Sequence, residues 1–366
     1  MENTKIRVGI THGDINGIGY ELILKAFDNP MMFDICMPVV YGSPKVAAYH
    51  RKSMDLPTNF SIVNTAQEAQ EGRLNIVNCT IEEVKVEFSK ATEDAGKAAS
   101  DALQKAVEEY REELFDVLVT APVNHQVLYS DLFPFKSQYA YLEQMVGEGR
   151  GSLSIYVKND FRLASVTGKI PLREVPGTLT PELLKEKLLA FHKSLKTDFD
   201  LDAPRIAVLS LNPRNSLGSF GKEEETCIVP VVDELSKEGI LCFGPFAVDE
   251  LMGKEDYLHY DGVLAMYHDQ GLAVFNTLAQ DGGVVYTSGL PVVRTAPAHD
   301  VKYEVVGQGV ADESSFREAI YLAIDIYRRR MHDAAARTNP LRKQYHDRRD
   351  DSDKLKNMEN HKEDEL

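Results

Sequence analysis

Residues 5–21 read KIRVGITHGDINGIGYE, in which a β-branched run leads into a turn with two closely spaced glycines. The run from Lys5 to Thr11 predicts a β-strand, and Gly17 and Gly19 would let the backbone approach a ligand where a helix begins. The spacing is not the GxGxxG of dinucleotide-binding turns. The segment is therefore either an anion-holding turn or a plain strand-to-helix connection, and composition leaves both interpretations open.

The same alternation of short β-branched runs with helical patterns continues along the chain and predicts an α/β fold. The clearest helix spans residues 180–195, where Thr180 is the expected N-cap, Pro181 lies in the first turn and leucines form one stripe. Two more long helices are predicted at residues 94–114 and 313–330. The other strands are predicted at residues 38–42, 116–120, 153–157, 162–167, 205–211, 262–267 and 283–287.

The charge of the chain limits its partners. It has 41 Lys and Arg against 57 Asp and Glu, a net charge of −16, so its far field repels nucleic acid and anionic membranes. A local basic pocket for a small phosphorylated ligand is compatible with that field. The four cysteines lack CxxC spacing, and neither an export signal nor an apolar run of about 18 residues is present. A cytoplasmic protein with reduced thiols is predicted.

The length of 366 residues allows a large core, divided over about two domains or two lobes. The apolar pattern stops after residue 330, and residues 331–366 are charged and poor in aromatic side chains. This segment is predicted to be a charged C-terminal tail that is loosely held or disordered.

Polar residues cluster where predicted strands end, which is where open α/β sheets usually bind ligands. The densest cluster is Tyr267-His268-Asp269-Gln270, and its His-Asp pair is either catalytic or structural. Arg294, flanked by apolar residues, suits a buried phosphate or carboxylate, with an internal salt bridge as the alternative. His125, after the strand at 116–120, and the irregular loop at 211–221 are weaker candidates.

An ordered set of motifs between about residues 5 and 330 gives a more specific indication. It consists of GDINGIGYE, DAGKAA, VTAPVN, IPLREV, LNP, YDGVLAMYHDQGL and SGLPVVRT. Together these motifs resemble the 4-hydroxythreonine-4-phosphate dehydrogenase family of vitamin B6 biosynthesis. The resemblance implies NAD-dependent oxidation of a small phosphorylated hydroxy acid, followed by decarboxylation, with a divalent metal such as zinc, magnesium or cobalt.

The resemblance also implies an architecture. It is that of isocitrate and isopropylmalate dehydrogenases, a two-lobed three-layer α/β/α unit over residues 1–330. One lobe would comprise roughly residues 1–130 and 265–330, and the other roughly residues 131–264. The protein would form a homodimer with its active sites at the subunit interface.

The family holds its metal with three histidines, and this chain matches one of them, His268. Lys169 stands at the position before the IPLR motif, and Phe220 is aligned with the histidine in the loop after LNP. A lysine ammonium and a phenyl ring offer no lone pair to a metal. Asp249 and Asp269 match the family's pattern and, with His268, are the predicted catalytic residues.

The substrate positions depart from the family as well. Residues 137–140 read SQYA where the family has Gly-His-Thr-Glu. Gln138 and Tyr139 are therefore the candidate substrate contacts beside Arg294, which is retained. Asn276 replaces a lysine of the substrate site.

The predicted cofactor loop contains His299, Asp300 and Glu304. Asp300 replaces a glycine and places a negative charge where a pyrophosphate would lie. The sequence therefore predicts a family member with impaired or absent metal-dependent catalysis. The alternatives are a non-catalytic homodimeric paralogue or variant and a dehydrogenase with a changed substrate, in which Arg214, Lys169 and Arg294 form a new anion pocket.

Overall fold

The computed structural model describes residues 5–79, 84–131, 133–135, 137–149, 151–280 and 282–338. The chain divides into two compact units, Met1–Arg330 and Met331–Leu366. The strands of the larger unit are β1 Ile6–Thr11, β2 Cys36–Gly42, β3 Phe60–Val63, β4 Leu74–Asn78, β5 Val117–Thr120, β6 Leu153–Lys158, β7 Phe161–Ser165, β8 Ile206–Leu209, β9 Cys242–Phe246, β10 Gly262–Ala265, β11 Val284–Ser288 and β12 Val293–Pro297.

Within the described residues these strands form one sheet, in the order β3-β4-β2-β1-β5-β12-β11-β6-β7-β10-β8-β9. Neighbours pair in parallel except at β12–β11, β11–β6 and β6–β7. Consequently β1, β5 and β12 run in one direction, and β7, β10 and β8 run in the other. The polar strand ends seen in the sequence therefore do not all lie at one edge of the sheet.

The helices are α1 Gly19–Ala26, α2 Met32–Ile35, α3 Pro44–Ser53, α4 Glu93–Arg111, α5 His125–Leu128, α6 Gln138–Val146, α7 Val175–Thr178, α8 Pro181–Thr197, α9 Val229–Lys237, α10 Val248–Gly253, α11 His268–Ala279 and α12 Ser314–Thr338. As predicted, Thr180 caps α8, because its hydroxyl accepts from Leu183 N at 3.2 Å. In the described parts of the chain, no helix combines the length and apolar character that crossing a membrane requires.

Helices cover both faces of the sheet. Alternate strand residues point to opposite faces, so Val40 joins one core cluster while Val39 and Tyr41 join another. The first cluster includes the buried faces of α1, α8 and α12, and the second includes those of α4 and α6. The prediction of a layered α/β fold is confirmed, whereas the division into two lobes stays a prediction.

All eight strands predicted from the sequence are present, with ends shifted by at most two residues. The sequence did not predict β3, β4, β9 or β12 as strands. The helix predicted at residues 313–330 continues to Thr338, so the predicted tail begins as helix. The rest of that tail, residues 339–366, lies outside the described residues.

A buried ion-pair network fixes the turn between β11 and β12. Arg330 Nε donates to Asp198 Oδ1 at 2.8 Å, and Arg330 Nη1 donates to two carbonyls of the turn, both at 3.0 Å. The Tyr286 hydroxyl donates to Asp198 Oδ2 at 2.7 Å. Because Asp198 is only 4% exposed, breaking this network would leave a buried charge unpaired. The network thus holds the start of β12, which carries Arg294.

Three buried aromatic rings pack against each other beside the turn between β1 and α1: His12 stacks on Tyr20, and His50 lies tilted against Tyr20. His12, Tyr20 and His50 are buried, with ring centroids 5.1 Å apart for His12 and Tyr20 and 5.3 Å apart for Tyr20 and His50. Nε2 of His12 contacts the Ala98 carbonyl at 3.2 Å, and Nε2 of His50 contacts the Ile15 carbonyl at 2.8 Å. Burial lowers the pKa of both histidines to about 4. Both are therefore neutral in the folded chain at pH 7.

The glycines of this turn serve the packing of the chain itself. A Cβ at Gly17 would lie 2.9 Å from the Val301 carbonyl oxygen, and one at Gly19 would lie 2.1 Å from the His12 carbonyl oxygen. Both distances are shorter than a Cβ tolerates. Close backbone packing accounts for these two glycines without a ligand, which favours the interpretation of this segment as a strand-to-helix connection.

The free energy of unfolding should fall steeply as the pH drops from 6.5 towards 4. Over this range the unfolded chain takes up protons at His12 and His50, whose ordinary pKa is 6.5, whereas the folded chain keeps both neutral. Each histidine should remove about 2 kcal/mol of stability between pH 7 and pH 5. Urea unfolding of a His50→Gln variant at these two pH values measures the effect, because glutamine does not titrate.

The His50→Gln variant should lose about 2 kcal/mol of the pH dependence of the unmodified chain. His192→Gln, on the partly buried side of α8, is the control and should change the pH dependence less. An unchanged pH dependence in His50→Gln would contradict a neutral His50 in the folded state.

Candidate active site

The site is built around one buried arginine on β12. Arg294 is 7% exposed, and its guanidinium donates to the hydroxyls of Thr120 and Thr287, each at 3.1 Å, and to Gln138 Oε1 at 3.1 Å. These partners lie at the end of β5, in β11 and at the start of α6. Four elements therefore meet at this one side chain.

Arg294 pairs with no carboxylate among the described residues. Its acceptors there are neutral, and burial lowers its pKa to about 10. A buried charge without a counter-ion is strongly unfavourable in a protein interior. The internal salt bridge that the sequence left open is thus absent from the described part of the chain, and the charge is available to an anion.

Gln138 offers a second donor beside Arg294. Its side chain is 4% exposed, and its Nε2 has no hydrogen-bond partner among the described residues. Reversing the amide would set its NH2 group against the guanidinium, so the arginine determines the orientation. A guanidinium and a free amide N–H together suit a phosphate or carboxylate oxygen.

A second cation acts on the same region. His125, the first residue of α5, has a pKa that is lowered by partial burial and by the charges of Lys169 and Arg294. Lys169 follows β7, which runs opposite to the β5 strand that precedes His125. Both charges thus act on the pKa of His125, although the two residues come from different parts of the sheet.

A cavity of about 310 Å³ adjoins Lys169. It is lined by residues 168–172, Val175 and residues 267–269, and we call it the Lys169–His268 cavity. His268 Nδ1 donates to Asp269 Oδ1 at 2.8 Å. This hydrogen bond leaves Nε2 of His268 as the ring atom that can meet a ligand.

Gln270 holds the strand ends that frame this cavity. Its Oε1 accepts from Met266 N at 2.8 Å, and its Nε2 donates to the Ser210 carbonyl at 2.6 Å. Met266 follows β10 and Ser210 follows β8. The start of α11, which carries His268, is thereby fixed relative to both strands.

The loop at residues 211–221 contributes no lining to the Lys169–His268 cavity. The Phe220 ring centroid lies 4.5 Å from the Arg214 guanidinium, and Arg214 Nε pairs with Glu250 Oε2 at 3.3 Å. Asp249, the neighbour of Glu250, is exposed in the first turn of α10. The placement of Phe220 at a metal position and the catalytic role of Asp249 stay predictions.

The donors of the cavity do not suit a divalent metal. Among the described residues, no group of three His, Cys, Asp or Glu side chains is arranged to hold a metal ion. In the cavity, His268 and Asp269 contact each other, and the Lys169 ammonium has no lone pair. The metal that the resemblance implies therefore does not fit this set of side chains.

The predicted cofactor loop is fastened to the turn between β1 and α1. The Tyr303 hydroxyl donates to Asp14 Oδ2 at 2.6 Å, and the Val301 carbonyl accepts from Ile18 N at 3.2 Å. Burial raises the pKa of the Asp14 carboxyl. The loop is thus tied to the turn at the end of the first strand.

The acidic residue of this loop makes a local hydrogen bond. Asp300 Oδ1 accepts from Lys302 N at 3.1 Å, and the Asp300 carbonyl accepts from His299 Nδ1 at 2.9 Å. The Asp300 carboxylate therefore accepts a backbone hydrogen bond within its own loop. Glu304 is exposed, and its carbonyl accepts from Gln308 at 2.8 Å.

The remaining predicted substrate residues make no hydrogen bond to Arg294 in the described part of the chain. Tyr139 is 44% exposed, although its neighbour Gln138 is buried. Asn276 is exposed on α11. The structure therefore brings together Arg294 and Gln138 but not the other two.

Sequence reasoning missed several residues of the site. Thr120 and Thr287 end predicted strands, but their contact with Arg294 depends on the order β5-β12-β11, which the sequence does not show. Tyr303 and Asp14 lie 289 residues apart, and no local pattern signals their contact.

The sequence profile described as pyridoxal phosphate biosynthetic protein PdxA matches residues 34–323. The chain belongs to this family. The 4-hydroxythreonine-4-phosphate dehydrogenase of Bacteroides thetaiotaomicron is 58% identical over 97% of this chain and 98% of its own length. The D-threonate 4-phosphate dehydrogenase of Cupriavidus necator is 31% identical over 88% of this chain and 98% of its own.

The fold agrees with that membership in the PdxA family. The solved 4-hydroxythreonine-4-phosphate dehydrogenase of Burkholderia phymatum matches with a TM-score of 0.70 and 27% identity, over 88% of this chain and 99% of its own. The family predicted from the ordered motifs is therefore confirmed, and so is its dehydrogenase-like fold.

Arg294→Met should stabilise the folded protein by about 1 kcal/mol, because methionine fills much of the same space without a buried unpaired charge. Arg330→Met is the matched control and should destabilise by about 3 kcal/mol, since it leaves Asp198 unpaired. Denaturant unfolding of both variants measures the difference. A loss of stability in Arg294→Met equal to that in Arg330→Met would make Arg294 a structural residue.

Proposed function

We propose that this chain binds 4-hydroxythreonine 4-phosphate, or a closely similar phosphorylated hydroxy acid, and oxidises it slowly. The buried guanidinium of Arg294, which lacks a counter-ion among the described residues, is the observation that carries the proposal. The phosphate of the ligand would receive hydrogen bonds from Arg294 and from the free Nε2 of Gln138.

The substrate class rests on the relatives. The two dehydrogenases described above, from Bacteroides and Cupriavidus, are both named for four-carbon hydroxy acids that carry a 4-phosphate. Such ligands have an anion at each end, a phosphate and a carboxylate. Two cations, the buried Arg294 and the Lys169 that lines the Lys169–His268 cavity, suit that distribution of charge.

His268 is the proposed group that meets the hydroxyl of the ligand. Its Nδ1 is held by Asp269, so Nε2 can accept a proton when a hydroxyl is oxidised. NAD, which the family implies, supplies a hydride acceptor when bound. We retain Asp249 as a candidate for a supporting role, because it matches the family's pattern.

Two substitutions support slow turnover. Lys169 leaves the Lys169–His268 cavity without the ligands that a divalent metal needs, and a metal contributes strongly to stabilising developing charge on oxygen. Asp300 places a carboxylate on the backbone donor of the predicted cofactor loop. If these changes abolish turnover completely, the chain is a binding protein without catalysis, which is the second candidate function.

We extend the proposal to a homodimer, as the family resemblance implies. Light scattering that gives a mass in solution equal to one chain would refute this part. The cytoplasmic location predicted from the sequence stays a prediction.

The proposal is tested by a side-by-side comparison with the Bacteroides relative. Calorimetric affinities for 4-hydroxythreonine 4-phosphate should agree within about tenfold, because Arg294 and the free Nε2 of Gln138 are available to the phosphate. NADH formation in the presence of zinc or magnesium should be at least about a hundredfold slower for this chain. Arg294→Met should abolish binding. Equal turnover of the two proteins, or unchanged binding by the variant, would contradict the proposal.

Asp300→Gly should strengthen NAD binding by about tenfold, since it removes a negative charge and frees the backbone N–H of Lys302. Glu304→Gly, in the same loop but exposed, is the matched control and should change the affinity less. Fluorescence or calorimetric titration with NAD provides the measurement. An Asp300→Gly variant that binds NAD no better would show that Asp300 does not oppose the cofactor.

A further inference from the structure

The Lys169–His268 cavity lacks the donor atoms for a metal but holds a cation that suits an anion. The Lys169 ammonium presents three N–H donors, whereas Nε2 of His268 is an acceptor when Nδ1 carries the proton. The acidic residue of the lining, Asp269, accepts from His268 Nδ1 at 2.8 Å, and its side chain is 88% exposed to solvent. Its charge is therefore screened by solvent.

The cavity and the Arg294 site belong to one positive region. Their strands are linked through β11 and β6: Arg294 of β12 pairs with Thr287 of β11, and Thr287 pairs with Ser154 of β6. The next residue of β6, Ile155, pairs with Ala164 of β7, five residues before Lys169. In agreement with this geometry, the charges of Lys169 and Arg294 both lower the pKa of His125. Arg294 and the unpartnered, buried Nε2 of Gln138 form one end of this region, and Lys169 forms the other. A small ligand with two anionic groups is the chemical match for such an arrangement.

We propose that Lys169 holds the carboxylate of the ligand whose phosphate lies on Arg294 and Gln138, so that the ligand binds without a metal. This inference rests on the proposed function, which places the phosphate of the ligand on Arg294 and Gln138. It adds a carboxylate subsite at the position where the family resemblance implies a metal ligand. The ligand class is accordingly a phosphorylated acid with a free carboxylate.

The test uses two probes that differ by one carboxylate, O-phospho-L-serine and O-phosphoethanolamine. Both carry a phosphate and an ammonium group. In the presence of a chelator, calorimetry should show that the unmodified protein binds phosphoserine about tenfold more tightly than phosphoethanolamine. One charge-assisted contact to the carboxylate accounts for a difference of this size. In Lys169→Met this preference should disappear, while the affinity for phosphoethanolamine stays the same.

Two further variants serve as controls. Lys169→Arg should keep the preference for phosphoserine, because it keeps a cation in the cavity. Lys193→Met, on the exposed side of α8, makes the same change in net charge elsewhere and should leave both affinities unchanged. If Lys193→Met lowered the affinity for phosphoserine as much as Lys169→Met does, the effect would come from the net charge of the protein, and the inference would fail.

The outcomes separate this inference from the proposed function. If both probes bind equally well to the unmodified protein, or if phosphoserine binds only after zinc or magnesium is added, Lys169 does not hold the carboxylate and the phosphate site stands. If neither probe binds, the phosphate site itself is wrong, and the proposed function fails together with this inference.

Discussion

The charge of Arg294 constrains the structure around it. A guanidinium in the interior is tolerated only when its donors find acceptors, and here those acceptors come from Thr120, Thr287 and Gln138. These three residues are far apart in sequence. The hydrogen bonds of Arg294 therefore form only when β5, β12 and β11 are neighbours in this order and α6 begins beside them. The Asp198–Arg330 network secures the turn that precedes Arg294. Among the described residues the fold thus surrounds this buried charge with neutral acceptors alone, and a buried charge without a counter-ion is unfavourable in itself.

Net charge and site charge have opposite signs in this protein. The whole chain carries −16, and at a distance it repels an anionic ligand. Within roughly a Debye length, about 8 Å at physiological ionic strength, the nearest charges dominate. There Arg294 and Lys169 outweigh the distant carboxylates, because Arg294 is buried and poorly screened. An acidic surface and an anion-binding site are therefore compatible, and the surface charge serves to discourage larger polyanions.

The sequence predicted correctly those features that depend on residues close together in the chain. The Thr180 cap, the long helices and eight strands followed from side-chain periodicity and from capping, which involve only near neighbours. Three of the four strands that it missed have specific causes: β3 has a mixed burial pattern, β9 contains Gly244 and Pro245, and the sequence of β12 was interpreted as part of the site. Arg294 was identified because a charge among apolar residues is conspicuous. Its partners were not, since their contact depends on strand order and on the reversal of direction at β11.

The two ends of the site differ in how strongly they are coupled to the fold. Lys169 lies on an exposed segment after β7, so a change there alters the charge of the cavity with little effect on the core. Arg294 is buried among four elements, and a change there alters packing and hydrogen bonds together. Overall similarity to a relative, such as 58% identity or a TM-score of 0.70, establishes the family and the fold. The charges of a few exposed side chains can change while that fold remains, so the chemistry of the site depends on its individual residues.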